Sequence, residues 1–232
     1  MGILQGKVAL VTGGGQGLGY DMAHAFADEG ASIVLTGRMQ EKLDAKAEAL
    51  RALGVEVLAV SGDVRFRATA QDAVARTLDK FGQLDILVNN AQTLSLPVPL
   101  AEQDDALIEG IIHSGLFGTL YFMQAAYPAL ARQGGAVINM GSGQGTIGGA
   151  GTASYAAAKE GIRAVSKVAA REWGRQGIRV NTICPGAWSD SMEAWAEERP
   201  EEMAMFTAQT SFGRFADGYR DVGRLAVFLA GP

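Results

Sequence analysis

The sequence has one cysteine, Cys184, in 232 residues, which excludes an intramolecular disulfide and fits a reducing compartment. Lying between Ile183 and Pro185, that cysteine reads as a small buried apolar side chain rather than a nucleophile. There is no Lys/Arg cluster. With 20 basic against 25 acidic residues, a net charge of -5 and a pI near 5.1, a broad nucleic-acid surface is excluded. No apolar stretch reads as long enough to span a bilayer. The start, Met1 to Lys7, lacks both the charged opening and the apolar core of a signal peptide, and Gly6 stands where an acylation signal needs Ser or Thr. Repeats, low-complexity tracts, a metal-ligand set and a second domain are also missing. The expectation is a cytoplasmic protein with one domain over residues 1–232 and no nucleic-acid or membrane partner.

At 48% hydrophobic and 19% charged residues, the chain can bury a substantial core. Short, nearly unalternating apolar runs (7–12, 32–36, 56–60, 84–88, 136–140 and 178–183) alternate with helical segments (18–29, 41–52, 68–81, 104–131, 153–174 and 219–230). This rhythm predicts an α/β fold, a doubly wound parallel sheet with helices on both faces. Ligands bind such sheets beyond the carboxyl ends of the strands, where Thr12, Asp63, Asn89 and Ser142 fall.

The first strand runs into Thr12-Gly13-Gly14-Gly15-Gln16-Gly17-Leu18-Gly19 and then into a helix. Glycines allow a tight turn and close approach of a pyrophosphate, and the helix N-terminus offers free N–H groups to that anion. No Gly-Lys-Ser/Thr follows, so the loop fits a dinucleotide rather than a nucleoside triphosphate.

Tyr155 and Lys159 stand one helical turn apart, with Ser142 thirteen residues upstream of Tyr155. Alone, Tyr-x-x-x-Lys is an ordinary stabilising pair. In a shared pocket, the ammonium would favour phenolate and lower the tyrosine pKa, while Ser142 could donate a hydrogen bond to a carbonyl oxygen.

Together these motifs resemble the classical short-chain dehydrogenase/reductase family, from Lys7 to nearly the end of the chain. Thr12, Gly13, Gly17 and Gly19 fit its glycine loop, Asp63-Val64 its adenine-contacting pair, and Asn89-Asn90-Ala91 the segment after strand four. Ser142, Tyr155 and Lys159 fit its catalytic set, and Pro185-Gly186 the turn beside the nicotinamide. The resemblance implies a Rossmann-type fold and hydride transfer between a nicotinamide cofactor and a carbonyl/alcohol carbon. Tyr155 would be the general acid/base, Ser142 the polarising donor, and Lys159 the ribose ligand and link to a proton relay. Gln16, Leu18 and Trp188 join the implied cofactor contacts. Homo-oligomerisation as a tetramer or dimer, through the helices carrying Gly115 and Ala157, is implied as well.

Strand two ends in Leu35-Thr36-Gly37-Arg38, with no acid for a ribose 2'-hydroxyl and with Arg38 placed for a 2'-phosphate. NADP(H) is therefore favoured, with NAD(H) the alternative. Three departures from the family stand out. Gly115 occupies the place of an asparagine in the long helix, so a water or Ser114 would have to serve the lysine's relay, or Gly115 serves helix packing. Gln92 replaces a glycine and would narrow the cofactor cleft or reach substrate. Trp188-Ser189-Asp190 replaces a small apolar residue and a threonine.

Residues 187–215, with Met192, Trp195, Met203, Met205 and Phe206, read either as a substrate lid or as ordinary packing. As a lid, with Gln92, Trp188, Met192 and Trp195 touching substrate, they suit a small hydrophobic ketone or alcohol, aromatic or alicyclic. The family's last strand is not read after Ala230. The sequence thus poses two function classes, an NADP(H)-dependent carbonyl reductase or alcohol dehydrogenase and a catalytically weak cofactor sensor or scaffold. A halide-binding dehalogenase is disfavoured by the glycine loop and Lys159.

Overall fold

The computed structural model describes residues 2–187, 196, 198–208 and 210–232. Six parallel strands form one sheet in the order β3-β2-β1-β4-β5-β6. They are β1 (Val8–Thr12), β2 (Ser32–Gly37), β3 (Val57–Ser61), β4 (Ile86–Asn89), β5 (Gly135–Met140) and β6 (Ile178–Ile183). The order reverses between β1 and β4, which opens a crevice at their carboxyl ends.

Every residue of β1 is buried, because both faces of the sheet are covered. Ala9 and Val11 join Ile33, Leu35, Val88 and Ile138 beneath Met22 and Phe26 of α1 (Gly17–Asp28). Val8 and Leu10 point the other way, joining Val34, Leu87 and Val137 beneath Phe122 and Met123 of α5 (Gly118–Leu130). A strand's period of two thus feeds two cores from one apolar run. The edge strands β3 and β6 carry exposed or half-buried positions.

The remaining helices are α2 (Gln40–Arg51), α3 (Arg67–Phe81), α4 (Asp105–Ile112), α6 (Gly143–Ile147), α7 (Ala153–Trp173), α8 (Pro200–Ala208) and α9 (Arg224–Ala230). Two predicted helices differ in detail. The run expected over 104–131 is α4 and α5 joined through a π-helical turn at His113–Phe117, and the run expected at 219–230 begins as a π turn at Gly218–Gly223. The short α6 and the segment's α8 have no counterpart in the predicted elements. By length and composition, Asp105–Leu130 is also apolar enough to cross a membrane, contrary to the sequence reading. In the structure it packs against α3, α7, β4 and β5 as a helix of this fold.

Asp85 binds the sheet at its amino end. Its buried carboxylate accepts hydrogen bonds from Val8 N (2.9 Å), Lys7 Nζ (3.0 Å), Gln83 Nε2 (2.9 Å) and Gln133 Nε2 (3.1 Å). Removing it would orphan the buried Val8 N–H and a strand junction with it. Asp85→Ala is expected to cost about 3 kcal/mol, read as a lower denaturant midpoint. Cofactor affinity should hold, since the crevice lies at the other end of the strands.

Candidate active site

The crevice is held open by one threonine. Buried Thr12 Oγ1 accepts from Asn90 N (2.9 Å) and Ala91 N (3.0 Å), and Asn90 Nδ2 donates to Thr12 O (3.0 Å). The glycine loop turns out of β1 with Gly13 at φ 68° and Gly17 at φ 50°, conformations that side chains resist. A Cβ on Gly19 would lie 2.4 Å from Gly13 O and 2.5 Å from Asn90 Nδ2. At the start of α1, Gln16 is extended and makes no side-chain cap, and the first turn carries no acid. The free N–H groups and positive end of the helix dipole therefore suit an anion, and the loop fits a dinucleotide's pyrophosphate.

The far end of the crevice is basic. Arg38 is exposed and, among the described residues, has no ion-pair partner; its charge reaches Asp63. Burial alone would raise the Asp63 pKa, but the hydrogen bonds and charge of Arg65, with that of Arg38, hold it below the usual carboxylate range. Arg65 grips Asp63 through Nε and Nη2, the latter at 2.7 Å. Val64 is buried against Gly118. Lys42 from α2 adds a cation that the sequence reading missed, with Nζ 2.9 Å from Gln16 Oε1. Its position four residues after Arg38, in the first turn of a helix, was the available signal.

Asn89 is turned into the sheet. It donates to Asn139 Oδ1 at 2.8 Å, and Asn139 in turn donates to Ser166 Oγ at 2.8 Å. Ala91 lies at the mouth through its backbone contact with Thr12. The turn after β6 is fastened from outside, because Ala216 N donates to Gly186 O (2.9 Å) and Ala187 bridges to Ala216. Pro185 and Gly186 therefore stay at the edge of the crevice. Trp188, Met192 and Trp195 lie outside the described residues.

Ser142, Tyr155 and Lys159 come together beyond β5. Ser142 caps α6, accepting from Gln144 N, and lies close enough to Tyr155 to act on its phenol. Lys159 Nζ sits 5.5 Å from the centre of the Tyr155 ring and donates to Met140 O at 2.8 Å. The N-terminus of α7 is stapled by Gln103, another residue missed from sequence. Its Oε1 accepts from Ser154 N (3.2 Å), while its Nε2 donates to Val98 O (2.9 Å).

The electrostatics differ from the expectation that the ammonium lowers the tyrosine. Burial is the largest influence on Tyr155 and raises its pKa, the Ser142 hydrogen bond opposes, and the net direction is up. Burial also lowers Lys159 to about 8. Cys184 corrects a second expectation. It is exposed, one residue past β6, and close enough to act electrostatically on both Tyr155 and Lys159. The sheet ends at Ile183, so the cover that would bury it has ended too.

Gln92 does not reach outward. Its Nε2 donates back to Ile111 O (3.0 Å) and Thr93 O (3.1 Å). Ser114 Oγ is committed to Gly110 O (2.7 Å) and Thr93 N (2.9 Å), and His113 packs at a tilt against Phe117 with ring centres 4.8 Å apart.

The chain is similar to known proteins in sequence and fold. The family model for short chain dehydrogenase matches residues 7–201. A 12alpha-hydroxysteroid dehydrogenase from a Clostridium species is 44% identical, over 100% of this chain and 92% of that enzyme. A 3-oxoacyl-(acyl-carrier-protein) reductase from Staphylococcus aureus is 34% identical over 97% of this chain and 90% of its own. A solved putative short-chain alcohol dehydrogenase from Sinorhizobium meliloti superposes with a TM-score of 0.93 at 33% identity, covering 98% of this chain and 90% of that one.

The buried ammonium has a measurable cost. Folding releases a proton from Lys159 between pH 8 and 10.5, so its destabilising contribution is full below that window and fades as pH rises through it. Lys159→Met is expected to be more stable than the parent by about 2 kcal/mol at pH 7, after loss of the Met140 hydrogen bond is counted. Melting curves at increasing pH should show the gap closing toward pH 10.5.

Proposed function

The chain belongs to the short-chain dehydrogenase family of oxidoreductases, and we propose that it transfers a hydride between NADP(H) and a carbonyl/alcohol carbon of a hydrophobic alicyclic substrate. The observation that carries this reading is the meeting of Ser142, Tyr155 and Lys159 at the crevice opened by the glycine loop. When bound, the nicotinamide supplies or accepts the hydride.

In the reductive direction, the Ser142 hydroxyl donates to the carbonyl oxygen and the Tyr155 hydroxyl gives that oxygen its proton. The raised pKa of Tyr155 keeps it protonated at neutral pH, as a proton donor requires. Lys159 holds a ribose hydroxyl and returns a proton to the tyrosine. Gly13, Gln16, Gly17, Leu18 and Gly19 hold the pyrophosphate, Asp63 and Val64 the adenine, and Ala91, Pro185, Gly186 and Trp188 the nicotinamide end, which Asn89 supports from within the sheet rather than by touching the cofactor. Arg38 and Lys42 favour a 2'-phosphate, because Arg38 follows the end of β2, Lys42 reaches the glycine loop at Gln16, and Gly37 supplies no acid.

Two features support the substrate class. Leu94, Leu96 and Ile147 are exposed apolar side chains on the segments that follow Gln92 and Ser142. The relative at 44% identity is named for a hydroxysteroid. Residues 187–215 serve as the lid; within them Met203 of α8 is buried while Met205 of the same helix stays exposed. A homo-oligomer is the proposed assembly, with exposed Ile108, Phe117 and Val168 on α4, the π turn and α7 as apolar surface for it.

The test is oxidation of NADPH in the presence of steroid and monocyclic ketones. Tyr155→Phe should lower kcat by about 1,000-fold with cofactor binding retained. Arg38→Ala/Lys42→Ala should weaken NADPH by about 100-fold while changing NADH little. Tight NADPH binding without turnover, indifferent to Tyr155→Phe, would exclude the reading.

A further inference from the structure

The segment that follows Ser142 is a helix that cannot hold itself. Of the five residues of α6, Gly143 and Gly145 are glycines and Thr146 and Ile147 are β-branched, all of them poor helix formers. A helix this short depends on tertiary support, and here the support comes from α7. A Cβ on Gly145 would lie 2.5 Å from Glu160 Oε1 and 2.9 Å from its Cγ, so the glycine admits close approach of that side chain. Arg163, three residues further along α7, donates through Nη1 to Thr146 Oγ1 at 2.6 Å and to Glu160 Oε1 at 2.9 Å. Past the end of α6, Gly148 turns at φ 71°, and Gly149 O accepts from Thr152 Oγ1 at 2.7 Å just before α7 begins.

This helix carries two groups that the site uses. Ser142 is its N-cap, with Oγ accepting from Gln144 N at 3.2 Å. A hydroxyl has one hydrogen and two lone pairs. With one lone pair taken by the first turn of α6, the hydrogen is left to turn toward the crevice, where a carbonyl oxygen would receive it. The placement of α6 therefore sets where the Ser142 donor points. At its other end stands Ile147, 79% exposed.

Tyr155 and Lys159 share one face of α7. Glu160 and Arg163 begin one residue later, about 100° round the helix. One helix thus holds the phenol and the ammonium directly, and the serine through a clamp on α6. The Arg163 and Glu160 side chains are 30% and 43% exposed. An ion pair so open to solvent adds little to folding stability. What it fixes is the position of α6 relative to Tyr155.

We propose that Arg163 is a positioning residue for the Ser142 hydroxyl, holding α6 against α7 through Thr146 and, with Glu160, setting the distance between the serine and Tyr155. The catalytic consequence rests on the hydride-transfer reading above; the clamp itself does not. Arg163 touches neither substrate nor cofactor in this role, and no proton passes through it.

The experiment compares Arg163→Ala, Arg163→Lys, Thr146→Val and the Arg163→Ala/Thr146→Val double variant with the parent protein, using NADPH and a ketone. Arg163→Ala should lower kcat about tenfold, because Ser142 is then loosely aimed, with KM for NADPH and the melting temperature nearly unchanged. Thr146→Val keeps the branched shape, removes the hydroxyl and should lose a similar factor. The double variant should lose no more than the worse single one, since both substitutions break one contact. Arg163→Lys should recover most of the loss, because an ammonium has three donors and can serve both oxygens. Parent-like kcat in Arg163→Ala, losses that multiply in the double variant, or no recovery in Arg163→Lys would each overturn the positioning role.

Amide hydrogen exchange across residues 144–148, read without substrate, separates this proposal from the function reading. In Arg163→Ala these amides should exchange about tenfold faster than in the parent, while those in the middle of α7 keep their rates. Unchanged exchange in α6 would overturn the clamp. A parent protein that turns over no ketone, with α6 still loosened by Arg163→Ala, would instead remove the hydride-transfer reading and leave the clamp standing.

Discussion

The Thr12 hydroxyl makes the crevice. By accepting from two consecutive backbone N–H groups, those of Asn90 and Ala91, it fixes the end of β4 to the end of β1 where the sheet order reverses. Asn90 returns a hydrogen bond to Thr12 O and crowds Gly19, so the same junction sets how closely α1 approaches the strand. The position of Gln92 follows two residues later, and the Asn89–Asn139–Ser166 series carries the alignment across β5 to α7. The glycine loop and the Ser142–Tyr155–Lys159 group are thus parts of one frame rather than two motifs that happen to meet.

Within that frame stability and chemistry pull against each other. Lys159 is nearly fully buried and is opposed by desolvation, with one carbonyl as its acceptor among the described residues. A buried cation with so little compensation is unfavourable to folding, and a methyl-ended side chain would suit the site better. The same burial raises Tyr155, which keeps the phenol protonated. Placing tyrosine and lysine one turn apart brings them together, but the depth at which α7 lies against β5 decides the direction of both shifts. The amino end of the sheet compensates elsewhere, where Asp85 meets four donors and takes no part in the crevice.

Local signals made most of the fold legible from sequence. The strand runs and glycine loop are contiguous, and β6 begins and ends where its apolar pattern does. The apolar run begins at Leu84, two residues before β4, although the Asp85 backbone already bonds to Val8 O and to Ala136 N of the neighbouring strands. The short α6 escaped because its residues, Gly143 to Ile147, have little helical propensity and depend on the Ser142 cap. Of the site, the residues in ordered motifs were legible by resemblance. Lys42, Gln103 and the contact of Gln92 with Gly115 were not, since each acts across space on a partner fixed only by the fold. Tertiary burial, which no spacing encodes, likewise reversed the expected direction for Tyr155 and exposed Cys184.

The case for a protein that binds cofactor without efficient turnover began with Gly115, read as the loss of an amide. That argument treats Gly115 and Gln92 as separate departures. In space they are one feature, because the volume surrendered by the glycine is filled by the glutamine's carboxamide, which is anchored to the π turn and keeps a free oxygen. A lysine kept buried beside a tyrosine at a cost to folding fits the oxidoreductase family to which the chain belongs better than it fits a sensor.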